Sequence, residues 1–129
     1  MDKETREGLK TLISILETFK DIGGSQGLEL QTLLAFFYIA LTEHEDSQGL
    51  NVNTIGNKLR STTASASRNI TILNQGHVKA IRPGLGLVTT YEDPNCRIKK
   101  IVELTPKGRR LRDRLMEMLA NESCLNETS

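Results

Sequence analysis

The chain contains no tryptophan and only 4% aromatic residues, so its core has to be aliphatic and modest in size. It has two cysteines, Cys96 and Cys124, one at an expected hairpin tip and one near the C-terminal end. That is neither a disulfide framework nor a zinc-ligand spacing, and it fits a reducing cytoplasm. No apolar run approaches the roughly 20 residues of a membrane-spanning helix. The longest are Leu33 to Leu41 and parts of Leu9 to Phe19. The opening Met1-Asp2-Lys3-Glu4 is mixed in charge and has no apolar signal-peptide region. His44 and His77 lack partners at ligand spacing, and there is no Ser–His–acid constellation or phosphate-cradling glycine loop. The acidic cluster Glu43, Glu45 and Asp46 reads as solvated loop charge, because general acid–base work needs fixed geometry. The expectation is a non-enzyme with no metal and no cofactor.

What is present is a segregated charge pattern on a 129-residue chain, a length that makes one domain. Residues 1–49 carry 4 basic and 9 acidic side chains, residues 50–115 carry 13 and 4, and residues 116–129 carry 0 and 3. The net charge of +1 therefore hides a basic middle between acidic ends. A basic block is the electrostatic footprint of a phosphate-binding surface, although ordinary solvated charge can produce the same segregation.

Leu9, Leu12, Ile13, Leu16 and Phe19 fall at helical spacing, with Ile15 widening the stripe and Gly23-Gly24 ending the helix. A second helix is predicted from Leu28 to Glu43, with Leu30, Leu33, Leu34, Phe37 and Leu41 facing inward. His44 to Gly49 is a loop by composition. Leu50 and Val52 alternate like a very short strand, and Asn53 can cap a short helix whose Ile55 and Leu59 face the core. Arg60-Ser61 form a turn, and Thr62 caps a helix from Thr63 to about Asn74. Two short helices joined by a tight turn make a helix-turn-helix.

On the second of these helices Ala66, Ile70 and Leu73 form the buried seam, opposite Ala64, Arg68 and Thr71 with Ser65 and Ser67 alongside. Small hydroxyl side chains allow close approach to base edges, and an Arg can take a guanine edge or clamp a phosphate. Taken alone, such a helix could equally be a weakly hydrophobic surface helix. Its position is more telling, because a basic hairpin follows. Leu87 to Tyr91 and Ile98 to Leu104 are strand-like around the polar tip Asp93-Pro94-Asn95, with Lys100, Val102 and Leu104 sharing one face and Lys99, Ile101 and Glu103 the other. Thr105-Pro106 then starts a last helix with an apolar stripe of Leu111, Leu115, Met118 and Leu119, beside Arg109, Arg110, Arg112 and Arg114. The nearer arginines could reach a DNA backbone.

Leu59-Arg-Ser-Thr-Thr-Ala-Ser-Ala-Ser-Arg-Asn-Ile-Thr-Ile-Leu73, together with Gly86-Leu-Val and Glu92-Asp-Pro-Asn-Cys-Arg-Ile-Lys-Lys-Ile-Val-Glu-Leu-Thr-Pro-Lys-Gly108, resembles the MarR family of regulators. The likeness covers about residues 28–120 and looks like a phage-type subgroup. It implies a mainly α fold with a small β-hairpin wing (α+β), a winged helix-turn-helix. Residues 1–24 and 106–124 would be dimerisation helices, residues 50–105 the DNA-binding core, and about 85–104 the wing. The implied function is a homodimeric, sequence-specific regulator of transcription on a pseudo-palindromic double-stranded DNA site, in the cytoplasm (that of the host, if phage-encoded).

Thr63, Ala64, Ser65 and Arg68 would lie toward the bases and Arg60, Ser67, Lys99 and Lys100 toward phosphates, with Thr62, the cap, also among the DNA-binding residues. Arg97 would enter the minor groove, where negative potential concentrates. The rival for the hairpin is an exposed edge whose lysines block aggregation. The rival for the whole is a winged-helix adaptor that binds a protein instead of specific DNA. This chain departs from the family pattern at Cys96, where an acidic residue usually orients the wing Arg, and at Ile98, in place of a second Arg. The stretch from Asn74 to Gly86 is also longer than the usual connection, with His77 and Ile81 read as prolonging the helix.

Overall fold

The computed structural model describes residues 2–23, 29–45, 50–74 and 85–128, with residues 23, 44–45, 96–99 and 121–128 described by backbone alone. In chain order the elements are α1 (Lys3–Gly23), α2 (Leu30–Glu45), β1 (Leu50–Asn51), α3 (Val52–Leu59), α4 (Thr63–Leu73), β2 (Val88–Asp93), β3 (Cys96–Leu104) and α5 (Pro106–Thr128). This is the expected mainly α, winged helix-turn-helix class. The chain divides into two compact units, Glu29–Arg109 and the combination of Met1–Leu28 with Arg110–Ser129. No helix among the described residues is long and apolar enough to cross a membrane.

In the larger unit the strands form one antiparallel sheet in the order β1-β3-β2. β2 and β3 make the hairpin, with Val88 opposite Leu104, Thr90 opposite Val102 and Glu92 opposite Lys100, and a register shift between Glu92 and Asp93. β1 adds two pairs on the other side of β3, Leu50 with Val102 and Asn51 with Ile101. Alternation along the strands buries Leu50, Val88, Val102 and Leu104 together with Ile55, Ile70 and Leu73 from the helices. At the tip, the Asp93 carboxylate accepts the Asn95 amide N–H at 2.9 Å, which ties the turn locally.

Two local expectations are corrected. Asn51, not Asn53, caps α3: its backbone is extended and its side-chain oxygen accepts the Thr54 N–H at 2.8 Å. Val52 therefore opens the helix instead of continuing a strand. The inward face of α2 also differs from the one expected. Thr32, Leu33, Ala35, Phe36 and Ile39 are buried, while Leu30, Leu34, Phe37 and Leu41 are exposed. The run Leu33 to Leu41 is apolar on nearly every side, so spacing cannot select a face. The selection comes from a partner, because Thr32 donates its hydroxyl to Asn69 Oδ1 on α4 at 2.8 Å.

Glu43 is the third correction. It lies in α2, not in a solvated loop, and its carboxylate accepts the Leu104 N–H at 2.8 Å and the Arg109 Nε–H at 2.9 Å. The ion pair holds Arg109 more firmly protonated than usual.

The start of α5 is fastened to the start of the hairpin. Thr105 accepts the Gly108 N–H at 3.1 Å as an N-cap, donates its hydroxyl to the Gly86 carbonyl at 2.6 Å, and gives its backbone N–H to the Leu87 carbonyl at 3.0 Å. A β-carbon at position 108 would collide with that same Leu87 carbonyl oxygen, which requires glycine there. Lys107 adds a bond to the Leu85 carbonyl at 3.0 Å.

In the smaller unit, Ile15, Phe19, Leu111 and Leu115 are buried. Leu9, Leu12, Ile13 and Leu16 on α1 are 42–52% exposed, and Met116 and Leu119 on α5 are 45% and 50% exposed. The expected α1 stripe is thus covered only at Ile15 and Phe19.

Candidate nucleic-acid interface

The helix-turn-helix is closed by caps at both sides of its turn. α3 ends with Arg60 in the left-handed region at φ 55°, from where its N–H reaches the Asn57 carbonyl and the Ser61 N–H reaches that of Gly56. Glycine is the usual residue in that conformation, and a side-chain-bearing residue costs about 1–2 kcal/mol. Thr62 then caps α4 by accepting the Ser65 N–H at 3.1 Å. α4 leaves α3 after three residues, as expected for this motif.

Helical periodicity divides α4 into two faces. Ala66, Asn69, Ile70 and Leu73 are buried. Thr63, Ala64, Ser67, Arg68 and Thr71 are exposed on the other side, and so are Arg60 and Thr62 before it. The first turn of α4 has no acidic residue, so its free N–H groups and positive end stand open to an anion. Thr71 is tied back to the Ser67 carbonyl at 2.9 Å. Ser65 is half-buried with its hydroxyl 3.4 Å from Gln31 Oε1 on α2, which turns it toward the edge of the exposed face. Thr63 lies 3.4 Å from Asn53 Oδ1.

Asn53 and Gln31 thus join the rim of this surface. The sequence offered Asn53 only as a helix cap and gave Gln31 no role, because each meets α4 only through tertiary contact. On the wing, Lys100 is exposed and sits opposite Glu92 in the ladder. Arg97 and Lys99 fall on β3 by backbone, but their side chains, like that of Cys96, lie outside the described residues, as do His77 and Ile81 entirely.

A capped helix-turn-helix followed by a two-stranded hairpin has close counterparts among solved structures. An S. aureus MepR–DNA complex superposes with a TM-score of 0.68 at 17% identity, over 96% of this chain and 85% of that one. The fold is the MarR-type winged helix. S. aureus MepR bound to ethidium bromide matches with a TM-score of 0.59 at 17% identity, over 94% and 79% of the two chains. A transcriptional regulator of the MarR family from Rhodococcus sp. RHA1 matches at 0.53 and 18% identity, over 88% and 71%. No protein-family model matches the chain, and no curated protein does. At these identities the shared property is the MarR-type fold.

Proposed function

We propose that this chain is a homodimeric transcriptional regulator that binds double-stranded DNA in a sequence-specific manner. The observation that carries the reading is the division of α4. Its buried seam leaves an outward face of Thr63, Ala64, Ser67 and Arg68, small and polar with one arginine, which suits a helix seated in the major groove.

In this reading Thr62, Thr63, Ala64 and Arg68 approach base edges, with Ser65 at the margin. Arg60, Ser67, Lys99 and Lys100 take phosphates, and Arg97 enters the minor groove. The strain at Arg60 supports its part, since a glycine would relax the turn but could not bind a phosphate. The bare apolar residues of α1 and α5 support dimerisation through the terminal helices, which would match a pseudo-palindromic site with half-sites about one or two helical turns apart. The absence of a spanning helix among the described residues and the paucity of cysteine fit work in the cytoplasm.

The test is selection of bound sequences from a random duplex pool at stated salt. Enrichment of an inverted repeat, with affinity falling steeply as salt rises, is the expected result. An unenriched pool with weak, salt-insensitive binding would leave the adaptor reading in its place.

A further inference from the structure

Among the described residues α2 and α4 are joined by two side-chain bonds, and only one of them is buried. The buried residues on the two helices are Leu33, Ala35, Phe36 and Ile39 on α2, and Ala66, Ile70 and Leu73 on α4, with Thr32 and Asn69 as the polar exceptions. Thr32 is fully buried, Asn69 is 4% exposed, and hydroxyl and amide oxygen meet at 2.8 Å. Apolar packing is non-directional, so buried apolar side chains tolerate a range of rotations of one helix on the other. A hydrogen bond does not, and breaking it without a substitute leaves a polar group unsatisfied in an apolar setting. The same logic lets a single buried polar residue set the register of a coiled coil. On the same side of α4, four residues earlier, Ser65 reaches Gln31, the neighbour of Thr32.

We propose that the Thr32–Asn69 bond fixes the rotation of α4, and so determines which side chains α4 presents to DNA. Thr32 and Asn69 are then positioning residues for base specificity that never touch DNA. Asn69 directly follows Arg68, so any rotation released at Asn69 moves Arg68 off its target. This inference rests on the DNA-binding reading above.

The test compares Thr32→Val, Thr32→Ser and the double variant Thr32→Val/Asn69→Leu with the wild-type chain. The free proteins are followed by backbone amide NMR, and binding is measured to the selected duplex and to random duplex. The double variant removes both polar partners and strands neither, which guards against simple unfolding.

The expected result is that its α3 and hairpin signals stay in place while those of residues 63–73 shift or broaden. Its specific-to-random affinity ratio should fall at least about tenfold, with random-duplex affinity within about twofold of wild type. Thr32→Ser, which keeps the hydroxyl, should keep both properties. A folded double variant with unmoved α4 signals overturns the proposal, as does an unchanged ratio. So does a Thr32→Ser variant that behaves like Thr32→Val. If the wild-type chain prefers no sequence, the DNA reading fails by itself. The α4 signals then decide the positioning role alone.

Discussion

The two units of this chain are finished to different degrees. In Glu29–Arg109 every helix boundary within the helix-turn-helix has a partner: Asn51 and Thr62 cap helix starts, Arg60 closes α3, and Thr105 joins α5 to the hairpin. In α1 and the later part of α5, Leu9, Leu12, Ile13, Leu16, Met116 and Leu119 remain uncovered. Large apolar side chains repeated on one helix face are normally covered by something. The difference teaches a division of labour. The helix-turn-helix and hairpin close their ends within the chain, although α2 also leaves Leu30, Leu34, Phe37 and Leu41 exposed. In our reading the bare faces of α1 and α5 meet a second copy.

The comparison is broken most forcefully at the junction of Gly108 and Leu87. Gly108→Ala forces a β-carbon onto a backbone carbonyl that cannot move without disturbing the Thr105 bonds. A loss of more than about 3 kcal/mol in urea unfolding is expected, and a loss below about 1 kcal/mol would contradict the junction as described. The uncovered unit should respond differently. Leu12→Glu places a charge in the proposed dimer interface, so sedimentation should show dissociation favoured roughly a hundredfold, or about 2.7 kcal/mol. A monomer already present in the wild-type protein at micromolar concentration would remove that interface.

Smaller changes sharpen the picture of the helix-turn-helix. Thr62→Ala deletes the α4 cap and should cost about 1 kcal/mol by chemical denaturation. Arg60→Gly should have opposite effects on the two properties it touches. Relief of the left-handed strain outweighs the entropy of glycine, for a gain of about 0.5 kcal/mol, while DNA affinity falls to a similar extent on every sequence. A drop in stability would show that the turn does not strain Arg60.

The smallest effect is on the wing. Tyr91 donates to Glu103 at 2.7 Å, and that bond, with the nearby carboxylate charge, raises the phenol above its ordinary value of 10.0. Because the folded value is the higher one, the bond's contribution is complete below about pH 10 and is lost as pH rises through the folded value. Exposure keeps it slight. In absorbance titration, taken as the difference from Tyr91→Phe, Glu103→Ala should lower the Tyr91 midpoint, and an unmoved midpoint would contradict the pairing.

The parts of this fold that could be read in advance were those encoded locally. Thr62 and Thr105 announce helix starts through cap chemistry. Ala66, Ile70 and Leu73 announce the α4 seam by spacing, and alternation put Val102 and Leu104 on one face of the hairpin, the face that is buried. Where local chemistry allowed two answers, tertiary contact decided. Asn51 and Asn53 are both competent caps, and the ladder of β1 with β3, ending at Asn51, selected the first. The α2 run gave no angular preference, and Thr32 found Asn69, 37 positions away. Glu43 looked like loop charge because its partners, Leu104 and Arg109, lie 61 and 66 positions further on. The Gly108 requirement was visible as a motif, but its cause, the Leu87 carbonyl, appears only in the fold.

The central claim is that the outward face of α4 reads bases. Its most direct test is the affinity of Arg68→Ala for the selected duplex and for random duplex at one salt concentration. The account predicts a loss of about 1–3 kcal/mol on the selected site, roughly 5- to 150-fold, with a much smaller change on random DNA. An equal loss on both would contradict it, leaving Arg68 as a phosphate contact and α4 without a reading role.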